Sequence, residues 1–284
     1  MSEKSMSKDT RKNVILLHIA VMCFSCSGVI GQYVQVPAVQ VAMGRVICSS
    51  LLLLAISLVC KDKLTLDSKK DYGLMILTGV VMAIHWSSFF QSIQTSSVAI
   101  GTITFSTFPL FLTFLEPLLF HEKIRGKNIL NALILLMGVL ITIPEFSVEN
   151  KVTSGILWGM LASFTYAVMT LSNRYFSSRY KGRTICLYEQ GTAAIALLPA
   201  LVLVKAEWRP VDFAGVATIG FLCTAIAYSL YVTAQTAGII SGMETVYGIV
   251  FALIFLREIP TVRELVGGAV ILGIAFYSSL HSED

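Results

Sequence analysis

Residues 72–115 read YGLMILTGVVMAIHWSSFFQSIQTSSVAIGTITFSTFPLFLTFL and contain no lysine, arginine, aspartate or glutamate. A helix crosses the hydrocarbon core of a bilayer with about 20 apolar residues. This stretch is therefore long enough for two crossings. Backbone polar groups inside hydrocarbon must be satisfied within the segment itself, which favours helices. The stretch predicts an integral membrane protein built of helices.

The rest of the chain has the same character. Of its 284 residues, 55% are hydrophobic and 13% are charged, whereas roughly 25% are charged in soluble proteins. The mean hydropathy is +0.76. Short polar breaks recur roughly every 28 residues, close to the length of one crossing and its loop. The spacing predicts ten helical spans, at residues 13–34, 38–60, 71–93, 97–120, 127–144, 153–174, 184–204, 211–234, 239–256 and 263–281.

The distribution of positive charge predicts the orientation of these spans. Fifteen of the 21 Lys and Arg residues fall on the N-terminal side of the membrane, five fall on the other side, and Arg45 lies inside the second span. Positive loops stay in the cytoplasm. We therefore expect a multi-pass protein of the cytoplasmic (plasma) membrane with both termini in the cytoplasm. The loop that holds Arg257 and Arg263 runs against this bias, but Glu258 and Glu264 offset it.

The N-terminal tail is polar, and the apolar run after it lacks an A-x-A-like cleavage site, so the first span is expected to remain uncleaved. The net charge of +4 mostly reflects the loop bias, so no nucleic-acid partner is expected.

Six cysteines lie in or at the ends of apolar spans, where inert thiols are expected. Cys23 and Cys26 have C-x-x-C spacing, but no second pair of ligands accompanies them. We therefore expect no metal site and no cofactor. Nothing in the sequence indicates an oligomeric state.

A weak internal repeat relates the two halves of the chain. Residues 83–87 read AIHWS and residues 225–229 read AIAYS, and a Gln-Thr pair follows each at a similar distance, as Gln94-Thr95 and Gln235-Thr236. Glu122 and Glu258 end the fourth and ninth spans. A repeat of five spans, an odd number, places its two copies in opposite orientations. The predicted divisions are a tail at 1–12, a first repeat at 13–144, a second repeat at 145–281 and a tail at 282–284.

Two segments resemble the drug/metabolite transporter superfamily, specifically its EamA-type members. The sixth span, GILWGMLASFTYAVMTLSNRYF at 155–176, is similar to the opening of the second EamA repeat, and 97–124, SVAIGTITFSTFPLFLTFLEPLLFHEKI, to the end of the first. The resemblance implies ten helices around a central cavity lined by spans 1 to 4 and 6 to 9. The ninth span departs from the family pattern, because Glu244-Thr245 stands where members often have Glu-Pro.

Polar side chains inside the membrane are the candidate functional residues, since an ionisable group at the bilayer centre costs about 2.5–3.5 kcal/mol on insertion scales. Helical spacing aligns polar residues on one face of four spans. Such stripes fit a wet cavity, although small and hydroxyl residues also serve plain helix packing. The stripes are Thr78, His85, Ser88 and Ser92; Thr102, Ser106, Pro109, Thr113 and Glu116; Ser163, Tyr166, Thr170 and Asn173; and Thr224, Tyr228, Tyr231 and Gln235.

His85 and Trp86 occupy the third span, and the stripe through His85 indicates that the span faces protein or water there. We expect Trp86 to border the cavity and to stack on an apolar or cationic part of a substrate, with Tyr228 as its counterpart in the other repeat. The alternatives are a packed aromatic pair and, for His85, a neutral ring hydrogen-bonded to a neighbouring helix in place of substrate contact or proton handling. Ser88 and Tyr166 are pathway candidates by their places on the stripes.

Glu244 is the strongest single candidate, because it lies about six residues, roughly 9 Å, inside its span. We expect it to carry a proton or bind an amine, with a structural hydrogen bond as the alternative. Arg45 and Glu189 occupy corresponding places in the second and seventh spans, near opposite mouths, so they are not expected to pair. Arg45 is expected to contact a substrate carboxylate or a gate partner, with a structural ion pair or snorkelling as the alternative. For Glu116 we favour snorkelling or a helix-end contact.

These features favour a secondary transporter of small metabolites, such as amino acids, related zwitterions or organic cations, working by alternating access. No nucleotide-binding GxxxxGK[ST] sequence is present, so an ion gradient would supply the energy, with protons as the candidate coupling ion. The resemblance favours efflux, with import or exchange as alternatives. An intramembrane enzyme would need paired Asp, a Ser/His dyad or H-E-x-x-H at membrane depth, which the sequence lacks, so no catalytic residue is predicted. A non-transporting membrane protein would not need the repeat.

Overall fold

The computed structural model describes residues 8–121, 123–124, 126–145, 147–228, 230 and 243–280, with the backbone alone for 8–13, 279 and 280. All regular structure in these residues is helical. The α-helices are α1 (Lys8–Tyr33), α2 (Ala38–Val59), α3 (Lys69–Thr95), α4 (Val98–Phe105), α5 (Phe108–Phe120), α6 (Gly126–Thr142), α7 (Lys151–Ser177), α8 (Gly182–Leu197), α9 (Ala200–Leu203), α10 (Pro210–Gly220), α11 (Met243–Phe251) and α12 (Val262–Leu280). Two π-helical segments, Phe221–Ile226 and Ala252–Leu256, continue α10 and α11.

Six helical segments of the described chain are long and apolar enough to cross a membrane. They are Val14–Tyr33, Ala38–Val59, Lys69–Thr95, Val98–Phe120, Lys151–Ser177 and Gly182–Leu203. Gly126–Thr142, Pro210–Ile226 and Met243–Leu256 are shorter apolar helices. The prediction of an all-helical protein with membrane-spanning helices is confirmed, and the count of ten spans stays a prediction.

Proline explains two breaks that the spacing of apolar runs did not predict. The predicted span 97–120 consists of α4 and α5, because Pro109 cannot donate to the carbonyl of Phe105 and its ring clashes with that carbonyl. The predicted span 184–204 likewise consists of α8 and α9, which are separated at Leu198 and Pro199. Each predicted span is thus interrupted inside the apolar region.

Side-chain caps define where several helices begin. Ser68 and Ser97 accept hydrogen bonds from the backbone N–H groups of Asp71 and Ile100, at the starts of α3 and α4. Asn150 accepts from the first residues of α7. Such caps satisfy N–H groups that have no partner within the helix.

Helices of the first half of the chain pack against helices of the second half. The most extensive contact joins α3 and α7. On α7, Gly155 and Gly159 form a G-x-x-x-G face that approaches the end of α3 and the neighbouring α4. A Cβ at Gly155 would lie 2.5 Å from the Cβ of Ser96, and one at Gly159 would lie 2.8 Å from the Cβ of Thr104. Only glycine permits this approach of the two backbones.

Four further helix pairs surround the same region. Helix α3 also packs on α8, α2 on α8, and α1 and α4 on α11. Helices α6 and α12 pack against each other, beside the helices that carry the candidate residues.

Candidate functional site

Arg45 is the most deeply buried charged residue of this region, with 1% of its surface exposed. Its guanidinium carbon lies 3.3 Å from the centroid of the Trp86 ring and 5.8 Å from that of Phe90. Nη1 donates a long hydrogen bond of 3.5 Å to the Ser27 hydroxyl. Nε finds no hydrogen-bond partner in the part of the chain that the structure describes.

Five helical elements meet at the Arg45 side chain. Ser27 belongs to α1 and Trp86 to α3. Cys186 of α8, Cys223 of the π segment and Glu244 of α11 are close enough to act on the guanidinium electrostatically. Arg45 therefore lies between the two halves of the chain.

The burial of Arg45 is only partly compensated. Among the described residues, no carboxylate forms an ion pair with it, although Arg174, Arg179, Arg183 and Arg209 all have such partners. A stacked ring returns about 2 kcal/mol to a desolvated cation, whereas removing an ion from water costs several kcal/mol. A cation held in this way is available to bind an acceptor.

Aromatic rings surround the Arg45–Trp86 pair. The His85 ring centroid lies 4.5 Å from that of Trp86 and 5.5 Å from that of Tyr166. Phe105 lies 4.9 Å from Tyr166, and Phe89 contacts both Trp86 and Phe105. Trp86 thus stacks on a cation of the protein itself, Arg45. That Trp86 stacks on a part of the substrate stays a prediction.

His85 is buried and tied to α7. Its Nδ1 lies 2.8 Å from the carbonyl oxygen of Ala162. Because a carbonyl only accepts, Nδ1 carries the hydrogen and donates it. In the neutral ring Nε2 is then an acceptor, and it has no partner among the described residues. This hydrogen bond to α7 fits the alternative interpretation of His85, a neutral ring bound to a neighbouring helix. Nε2 remains available to a ligand.

Glu189 of α8 is also buried, with 2% of its surface exposed. Its Oε1 lacks a hydrogen-bond partner in the described chain, and the amide of Asn173 is its polar neighbour. The next residue, Gln190, accepts a hydrogen bond of 2.8 Å from Ser49 of α2. Glu189 thus lies beside Asn173 of α7, and the next residue, Gln190, contacts α2.

Glu244 lies in the first turn of α11 and is partly exposed. Ser25 of α1 donates to its backbone carbonyl at 2.8 Å. The adjacent Thr245 lies 2.5 Å from the Ser106 hydroxyl, oxygen to oxygen, at the break between α4 and α5. Glu244 is thus placed where the start of α11 meets the interrupted fourth span.

The polar stripes serve helix packing at several positions. Thr78 hydrogen-bonds Ser172 at 2.6 Å, and Ser92 donates to the carbonyl of Gly155 at 2.6 Å. Thr107, beside the stripe of the fourth span, pairs with Ser163 at 3.0 Å. Ser88 is buried on the same stripe as Ser92. The third-span stripe therefore faces α7.

The remaining candidates lie at the edges of this region. Tyr228 packs against a cluster formed by Leu53, Cys186 and Ala225. Glu116 forms an ion pair with Arg174 of α7, which is a helix-end contact. Tyr231, Gln235, Thr236 and Glu122 lie outside the described residues. No group of His, Cys, Asp or Glu in the described chain has the arrangement of a metal site.

Sequence reasoning missed a polar cluster between the α2–α3 loop and the α7–α8 loop, here called the loop latch: Asp62, Asp67, Asp71, Arg179, Tyr180, Lys181 and Arg183. Asp62 accepts from Lys181 at 2.9 Å and from Arg183 at 2.8 Å. Arg183, and then Lys181, lower the pKa of the Asp62 carboxyl to about 2. The sequence feature that could have indicated this cluster is the presence of acidic residues in otherwise basic loops.

The second part of the loop latch centres on Asp71. Arg179 donates to both carboxylate oxygens of Asp71, and the Tyr180 hydroxyl donates to one of them at 2.7 Å. The same hydroxyl accepts from the backbone N–H of Asp67. The loop latch joins the two halves at the end of the helices that carries the excess of positive charge.

Comparisons with known proteins agree with these features. The sequence profile of the EamA-like transporter family matches residues 11–143 and 153–280. An uncharacterized transporter of Helicobacter pylori (strain J99 / ATCC 700824) is 26% identical over 284 residues, covering 92% of this chain and 94% of that protein. The uncharacterized transporter YxxF of Bacillus subtilis (strain 168) is 24% identical over 230 residues, or 79% and 74% of the two chains.

A solved structure described as "Crystal structure of protein" shares the fold. Its TM-score is 0.66 at 16% sequence identity, and the match covers 98% of this chain and 97% of that one.

Proposed function

Because the chain belongs to the EamA-like transporter family, we propose that it is a secondary transporter of amino acids, related zwitterions or organic cations. Its relatives are named transporters and not enzymes. The observation that carries the proposal is the buried Arg45 between the two halves of the chain, which has no carboxylate partner within the described residues. A charge held at this depth is a functional group by default in a membrane protein.

The proposed architecture has ten transmembrane helices in two inverted five-helix repeats, at residues 13–144 and 145–281, around a central cavity. Two observations support it. The family profile matches the chain in two segments, 11–143 and 153–280, and helices of the first half pack on helices of the second. Inverted repeats supply two half-structures that can rock about a site at the midplane.

The proposed substrate site is centred on Arg45 and Trp86. His85 and Tyr166 supply the ring wall beside them, and Glu244 faces the guanidinium at longer range. Ser88, Glu189 and Tyr228 line the proposed pathway away from this centre. Glu244 is the proposed proton carrier, since a carboxyl group in an apolar setting can exist in both protonation states.

Alternating access requires a closure on each side of the site. We assign the cytoplasmic closure to the loop latch, because Asp62 and Asp71 of the first half bind cations of the second half. Opening toward the cytoplasm separates these pairs. The break between α4 and α5, beside Thr245, is the proposed flexible point within the membrane.

We place the protein in the cytoplasmic membrane with both termini inside, and we assign it export of its substrate. The test is an efflux assay in cells that are preloaded with labelled amino acids or organic cations, with and without expression of the protein. Expression should speed the loss of a chemically coherent subset of these compounds.

Glu244→Gln should slow that loss and flatten its dependence on external pH, whereas Glu149→Gln, in an exposed loop, should leave both unchanged. Equal loss of every compound with and without the protein would refute the proposed export. An unchanged pH profile in Glu244→Gln would remove that residue from the coupling step.

A further inference from the structure

The unpaired polar atoms beside Arg45 have one chemical character. Arg45 Nε and Trp86 Nε1 are both buried, and neither has a hydrogen-bond partner within the described residues. Both groups only donate hydrogen bonds. A ligand with acceptor atoms would satisfy both the Arg45 and the Trp86 donor.

Arg45 adds a positive charge to these donors. Glu244 interacts with it electrostatically but forms no ion pair with it in the described structure. The planar guanidinium matches a carboxylate, which can accept two parallel hydrogen bonds. The guanidinium carbon of Arg45 lies over the Trp86 ring, 3.3 Å from its centroid. The edge of the guanidinium is therefore the part that remains for an acceptor.

An unpaired acceptor lies beside this pair, on His85. His85 Nε2 accepts when its Nδ1–H binds the carbonyl of Ala162, and it has no partner in the described chain. Both His85 and Glu244 lie within electrostatic reach of Arg45. A molecule with an anionic end at Arg45 and a cationic end near Glu244 satisfies both sets, whereas a simple organic cation would meet Arg45 as a like charge.

We propose that Arg45 and Trp86 bind the carboxylate of the transported molecule, so that the substrates are amino acids and other carboxylate-bearing metabolites and not simple organic cations. This inference rests on the proposed transport function. It assigns Arg45 to the substrate in preference to a gate. In this proposal the Trp86 ring packs against the guanidinium, and its N–H donates the additional hydrogen bond.

The test compares matched ligands on the purified full-length protein in detergent by thermal stability. The probes are L-phenylalanine, L-leucine and L-methionine, the methyl ester of each, and the amine that lacks the carboxyl group. The free acids should raise the melting temperature in a saturable way, and the esters and amines should not.

Variants locate the effect at the proposed donors. Arg45→Gln should weaken the apparent affinity for the acids roughly 30-fold or more, as expected when one partner of a buried charge-assisted pair is removed. Trp86→Phe keeps an aromatic ring beside the guanidinium but loses the N–H together with the five-membered ring of the indole, so the affinity should fall by roughly fivefold. Arg263 donates to the backbone carbonyl of Ile143, which lies just after α6. Arg263→Gln is the matched control and should bind the acids as the wild type does.

Two results would overturn the inference: stabilisation by esters and amines equal to that by the acids, or no stabilisation by any of the acids. The acid–ester comparison uses the wild-type protein alone, so it decides the question even if an Arg45 variant fails to fold. Failure of the proposed function looks different. In that case the acids bind with the predicted selectivity but are not exported from preloaded cells.

Discussion

Replacing Arg45 by methionine is expected to make the ligand-free protein more stable. The side chain is 1% exposed, has no ion-pair partner in the described chain, and makes one hydrogen bond of 3.5 Å. Methionine has a similar length and fills irregular apolar space. The variant therefore removes a buried charge without opening a large cavity.

The magnitude follows from the contacts of Arg45. Burial of an ion costs several kcal/mol after relaxation. The Trp86 stack returns about 2 kcal/mol, and a hydrogen bond as long as that to Ser27 returns less than about 1 kcal/mol. Apolar replacement of buried charges is neutral or stabilising by about 1–4 kcal/mol. We expect a gain of about 1–2 kcal/mol, which is roughly 2–8 °C in melting temperature for a chain of this size.

The assay is thermal unfolding of wild type and Arg45→Met in one detergent, without added amino acids and at a fixed scan rate. Arg183→Met is the matched control, because Arg183 has a carboxylate partner in Asp62 at 2.8 Å. The control should lower the melting temperature. A fall of several degrees in Arg45→Met would refute the reasoning, because it would mean that the protein itself satisfies the guanidinium.

Three further predictions test other parts of the account. The pKa of Asp62 is about 2 against an ordinary 3.8, so the stability that the loop latch contributes is fully present above about pH 4 and is lost as the pH falls toward 2. The difference in melting temperature between wild type and Asp62→Asn should accordingly stay constant from pH 7 to 5 and shrink below pH 4; a difference that already fades between pH 7 and 5 would contradict this. Gly159→Leu should abolish the monodisperse gel-filtration peak because its side chain meets Thr104 of α4, whereas Gly73→Leu, with nothing within 4 Å of its Cβ, should leave the peak intact; a normal peak for Gly159→Leu would refute the close α4–α7 contact. Cys60, the exposed cysteine at the end of α2, should react with a membrane-impermeant maleimide in inside-out vesicles and not in intact cells, and the reverse pattern would invert the proposed orientation.

Much of the helical architecture is predictable from the sequence. The predicted spans 38–60 and 71–93 differ by at most two residues at each end from α2 and α3, because charged loops and apolar runs alternate sharply there. The break at Ser106 was not predicted, although Pro109 was recognised. Whether a proline ends a helix depends on the packing around it. Pro117, only eight residues later, lies within α5 without ending it.

The sequence picks out candidate residues by their position inside the membrane, but it does not predict most of their partners. Intramembrane charge identified Arg45, Glu189 and Glu244. The stack of Arg45 on Trp86 joins two different spans, so helical periodicity within either span cannot reveal it. The hydrogen bond from His85 to the Ala162 carbonyl also joins two spans, α3 and α7, so it cannot be predicted from the periodicity of either one.

Transport by the purified protein tests the central claim most directly. Proteoliposomes loaded with unlabelled L-phenylalanine, L-leucine or L-methionine are diluted into the same labelled amino acid, and counterflow is followed over time. The account predicts transient accumulation of label by the wild type, a loss of at least tenfold in Arg45→Gln, and none in protein-free liposomes. Accumulation that is equal in wild type and Arg45→Gln would contradict the role of Arg45. The absence of counterflow by wild type for all three amino acids would contradict amino-acid transport through this site.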